Sequence, residues 1–107
     1  MRLSRRPFAD LVRRQLDLFA ADEVALLEEA RAAERAWQRA GRDDAEEAYG
    51  DWLLVADTVA ERLLDLRETY ASTLDESAAA GYRGTFDRLA RRRFPRFVAL
   101  LGDGDVS

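Results

Sequence analysis

The chain has 107 residues, 36% charged and 48% apolar, a formal charge of −4, and neither cysteine nor histidine. This composition predicts a single folded domain over residues 1–107 rather than a disordered segment. It excludes disulfides, thiolate nucleophiles, imidazole bases and metal centres built on His or Cys.

Lysine, asparagine and isoleucine are also missing, so all 17 basic residues are arginine. GC-rich coding produces the same bias, and arginine content therefore does not by itself point to phosphate recognition. The opening "MRLSRRPFADLV" is basic, but "RRQLD" follows before any apolar stretch long enough for a secretory leader. The longest apolar run, "WLLVA" at 52–56, is far short of the roughly 20 residues a membrane-spanning helix needs. A cytoplasmic protein is the expectation.

No segment alternates with period two, and valine and threonine do not cluster, so the expected fold is all-α. The first segment reads as one helix over about 7–40, with Pro7 at its first helical position. At 100° per residue Phe8, Val12, Phe19, Leu26, Ala30, Ala33 and Trp37 keep one face, which favours a single rod. Asp22 and Glu23 interrupt that face. The alternative is four helices, with the first segment broken near Asp22 and that residue capping the second piece.

"AGRDD" at 40–44 ends the segment, with Gly41 suited to the residue after a helix end and Asp43 or Asp44 to the next cap. The next helix is expected over about 44–74, with Trp52, Leu53, Ala56, Val59, Ala60, Leu63 and Leu64 on one stripe. Asp75 caps the last, over about 76–101, which carries Tyr82, Phe86, Leu89, Ala90, Phe94 and Phe97 inward. Pro95 removes a backbone donor and kinks or restarts that helix, and the tail 102–107 is expected to fray. Three such lengths with short loops make an up-down-up antiparallel bundle. Folding about the first loop sets Trp52 level with Ala30 and Ala33, and Trp37 level with Ala45 and Ala48.

The same register brings Arg93 to the middle of the bundle, level with Asp22 and Glu23 and near Asp57 and Glu61. These five are the candidate buried polar cluster, a salt-bridge network fixing helix register or, in a sharper reading, a carboxylate site for a cation. Arg67 also falls on an apolar face, where it is expected to snorkel to the bundle edge or to meet an acid of another chain.

Charge is unevenly spread: +4 over residues 1–14, +5 over 83–97, and −11 between them. The two basic regions are expected to lie offset along the axis. Arg88, Arg91, Arg92 and Arg96 form an outward patch on the last helix, and Gly81 and Gly84 on its outer side allow close approach by another helix. These six residues are the candidate interaction surface. No pattern supports catalysis, and no cofactor or metal is expected. The function expected is protein–protein interaction or self-assembly, with a partner protein or a second copy in a dimer, through helix faces of complementary charge. The alternative is binding of an anionic surface, nucleic acid or membrane, through the C-terminal arginines.

Overall fold

Two helices stand where one long rod was expected. The structure, a computed structural model, describes residues 7–97. It places α1 at Ala9–Asp22, α2 at Val24–Arg39, α3 at Ala45–Ala71 and α4 at Glu76–Arg93, with a short fifth helical segment at 95–97. The fold is all-α with antiparallel helix contacts, and no strand occurs among the described residues.

The break at Glu23 corrects the three-helix expectation and agrees with the alternative, a first segment broken near Asp22. Glu23 has φ −108° and ψ 29°, outside the helical well, yet its N–H still reaches Phe19 O at 2.8 Å and its carbonyl accepts from Leu27 at 2.9 Å. The hydrogen-bond ladder therefore bends rather than ends. Asp22 is the exposed last residue of α1 and caps nothing. Neither proline nor glycine lies at the bend. Its cause is tertiary: α1 leans on α4 while α2 leans on α3, and a straight rod cannot serve both neighbours.

Helix ends follow local chemistry in some places and not in others. Asp75 caps α4 as expected, its carboxylate accepting from Ala78 N–H at 2.8 Å. Asp44 precedes α3 without a side-chain cap bond, and Glu46 and Glu47 supply the negative charge that suits that end. Gly41 does not take the left-handed conformation, because α2 stops at Ala40 in extended geometry. Pro7 is not in the helix; Phe8 is the residue before α1. Pro95 acts as expected. It pushes Phe94 to φ −132° and ψ 62°, which ends α4 at Arg93 and restarts a helical turn at once. The expected continuation to 101 and the frayed tail lie outside the described residues.

The core runs along the facing stripes: Val12, Leu16 and Phe19 from α1, Ala30 from α2, Ala56, Val59 and Leu63 from α3, and Tyr82, Phe86 and Ala90 from α4. Ring contacts fix the directions. Phe8 meets Tyr82 and Phe19 meets Phe94, so α1 and α4 run parallel. Trp37 meets Tyr49 and Trp52 at 4.7 and 5.5 Å between centroids, so α2 and α3 are antiparallel. This corrects the expected register, in which each tryptophan lay over alanines. Side chains lean toward the N-terminus of their own helix. Trp37 thus reaches down from the loop end while Trp52 reaches up toward it, and the two rings meet. Among the described residues this end of the molecule is only two helices thick, which helps make its extents 56 × 31 × 24 Å.

Candidate interaction surfaces and their charged groups

The predicted five-residue polar cluster does not assemble. Asp22, Asp57 and Glu61 are exposed, and Glu23 pairs with Arg62 of α3 at 2.6 Å. Arg93, the last residue of α4, swings outward to Asp17 at 2.7 Å and lies 5.5 Å over the Phe94 ring. Its phase along α4 points inward, but the helix ends there and the bend carries α2 away. Among the described residues no three carboxylates come close enough to hold a metal ion.

A different network forms on the flank between α3 and α4. Arg67 is only 9% exposed and does not snorkel out. It donates to Asp87 at 2.7 Å and to Glu68 at 2.8 Å, and Glu68 in turn accepts two bonds from Arg83 at 2.8 and 2.9 Å. All the acids are the chain's own. Hydrogen bonding to Arg83, then to Arg67, outweighs desolvation and lowers the Glu68 carboxyl to about 2. Burial pulls Arg67 down, but its bonds to Asp87 and Glu68 raise it overall. Burial also pushes Tyr82 up to about 12, while its hydroxyl donates to Gln15 Oε1 at 2.7 Å. The signal for this network was the Arg83–Asp87 pair at i, i+4 opposite the adjacent Arg67 and Glu68.

The bend leaves a groove that sequence reasoning missed. Because α1 leans on α4 and α2 on α3, the seam between α1 and α3 is unfilled. It holds about 490 Å³ and is lined by Leu18, Phe19, Leu66 and Gln15, by Asp22 and Asp65, and by the Glu23–Arg62 ion pair. Leu18 is 59% exposed there. Its position roughly 100° to 160° round the helix from Val12, Leu16 and Phe19 was the available clue.

Arg91, Arg92 and Arg96 are exposed and Arg88 is half-buried. Arg96 pairs with Glu34 of α2 at 3.0 Å. The Nε of Arg88 is buried with no hydrogen-bond partner among the described residues. The two basic regions were expected to be offset, but they meet: Arg13 of α1 joins Arg92 and Arg93 around a cavity of about 300 Å³ floored by Leu16 and Leu89. Two of those arginines already face acids, Arg13 on Asp10 at 3.3 Å and Arg93 on Asp17. Among the described residues no helix packs closely on the two glycines. A β-carbon at Gly81 would sit 3.9 Å from Phe8, in ordinary contact, and one at Gly84 would meet nothing within 4 Å. Phe94 and Phe97 are buried and so unavailable for base stacking.

No helix among the described residues is long and apolar enough to cross a membrane. Comparison of the chain with protein-family models, curated proteins and solved structures finds no match.

Proposed function

We propose that this chain is a non-catalytic interaction module that takes up a helix of basic and small or apolar residues in the groove between α1 and α3. The groove carries the reading: it presents an exposed leucine and an apolar floor bordered by Asp22 and Asp65, and Arg62, which also lines it, is already paired with Glu23. Neither acid has an ion-pair partner among the described residues. An amphipathic helix laid in such a groove buries its apolar face and brings its cations to the rim. The test is fluorescence anisotropy with a labelled arginine–leucine amphipathic peptide and its glutamate–leucine twin. The basic peptide should bind, and Leu18→Glu should weaken it at least about tenfold, a change of about 1.4 kcal/mol. Equal binding of both peptides, or indifference to Leu18→Glu, would reject the groove.

A second reading, an anion-binding surface, is favoured by the convergence of Arg13, Arg92 and Arg93 over Leu16 and Leu89. It predicts that duplex DNA or anionic vesicles bind in a salt-sensitive way, and that Arg13→Glu with Arg92→Glu abolishes binding while Leu18→Glu leaves it intact.

A further inference from the structure

We propose that the occupant of the α1–α3 groove is α4 of a second copy of this chain, and that copies join head to tail rather than as a twofold dimer. The inference rests on the groove reading above.

Charge left over after internal pairing is the first support. Arg67, Arg83, Arg93 and Arg96 all have carboxylates within the chain. Among the described residues, Arg88 and Arg91 on the outer face of α4 have none, and neither do Asp22 and Asp65 at the groove. Charges without an ion-pair partner among the described residues occur on other elements too, Arg14 on α1 and Arg31, Arg35 and Arg39 on α2 among them. But α4 gathers Arg88, Arg91 and Arg92 within five residues, while the seam sets Asp22 and Asp65 beside the internally paired Glu23 and Arg62. Gly81 and Gly84 extend the arginine-bearing face with no side chains of their own, and the space over Gly84 is open.

Geometry supplies the second support. Gln15 lines the groove and accepts the hydroxyl of Tyr82, so the inner face of α4 lies behind the groove. Gly84 and Arg91 project from α4 on the side opposite Tyr82, Phe86 and Leu89, with Arg88 half-buried at the flank of that side. The two surfaces therefore look away from each other across the molecule. Because α1 and α4 are parallel within one copy, a neighbour shifted sideways without rotation sets its α4 parallel to this copy's α1. A twofold axis through either surface would instead set like charges against one another. A contact between two different surfaces does not close on itself, and it adds copies until a ring forms or a filament grows. The groove spans only about two helical turns, less than a standard interface of roughly 800 Å² per partner, so each contact is weak.

The experiment is sedimentation velocity on the full chain from about 10 µM to about 1 mM, at low salt and near 0.5 M salt. The weight-average mass should climb past that of a dimer at low salt and fall to the monomer at high salt. Leu18→Glu and the double variant Arg88→Glu, Arg91→Glu should each remain monomeric, with helicity by circular dichroism confirming the fold; Arg91→Glu alone serves if the double variant unfolds. An equimolar mixture of the groove variant and the arginine variant should stop at a one-to-one dimer, since one intact surface survives on each. A wild type that stops at a dimer, or a mixture that stays monomeric, overturns the head-to-tail arrangement. A wild type monomeric throughout overturns self-docking: if the basic peptide still binds, the groove reading survives it, and if not, both fall.

Discussion

Arg67 shows how a charged residue on an apolar face can be held without leaving the fold. Its guanidinium is shared between Asp87 and Glu68 and its stem is buried, so truncation removes packing and strands Asp87, while Glu68 keeps Arg83. Arg67→Ala should cost about 2 kcal/mol, read as a drop in the urea midpoint at unchanged slope. The network also sets the acid limb of stability. Glu68 titrates near 2 in the fold against 4.5 unperturbed, so its contribution is full above about pH 4.5 and drains away as pH falls toward 2. Glu68→Gln should flatten that limb in a thermal-melt series from pH 5 to 2. Tyr82 gives the mirror case. Its folded value of about 12 exceeds the ordinary 10.0, so stability holds below pH 10 and is lost as pH rises through 12. Tyr82→Phe should abolish that alkaline loss. At this scale the sequence was partly legible: Arg67 stood out as an intruder, but its partners depend on which flank of α3 meets α4, and periodicity does not carry that azimuth.

Helix termini separate what local chemistry decides from what packing decides. Asp75→Ala should cost about 1 kcal/mol, because a real cap bond is lost, whereas Asp44→Ala should change the melting midpoint hardly at all. Both aspartates looked like caps in the sequence, and only one makes the bond. Pro95 was legible because its ring forbids helix at Phe94 whatever surrounds it. The Glu23 bend was legible only as the alternative: Asp22 and Glu23 interrupt the apolar face, but its phase runs from Phe8 to Trp37 without a slip. It arises because α1 and α2 have different neighbours, a fact visible only after the whole chain is packed. The groove inherits that invisibility, as it exists only because of the bend. The Arg93 cluster failed for the same reason: it assumed a straight first helix and a last helix continuing past Arg93.

Among the described residues the molecule is a base in which α4 packs on both α1 and α3, with a tip of two helices, α2 and α3. Fewer packed side chains protect the amides of the tip, so it should open locally before the base does. Hydrogen exchange should therefore be faster at 34–50 than at 56–63 or 82–90, with the latter two approaching the protection of global unfolding. Among the described residues the buried indole N–H of Trp52 has no acceptor, which adds to the weakness of the tip, since a buried donor without an acceptor is costly. Uniform protection along α3 would show that the tip is as cohesive as the base.

That tip has an optical consequence. The chain has two tryptophans, Trp37 and Trp52, and both belong to the tip, stacked against each other and Tyr49. Ultraviolet emission excited at the red edge thus comes from a single place, remote from the seam where Leu18 lies. A ligand bound tightly beside Leu18 would leave that emission unchanged, and a flat titration would look like no binding at all. The tyrosines are distributed differently: Tyr70 and Tyr82 touch each other at the opposite end, and Tyr82 bonds to Gln15 in the wall of the groove. Near-ultraviolet circular dichroism in the tyrosine band is the channel through which the groove can be heard.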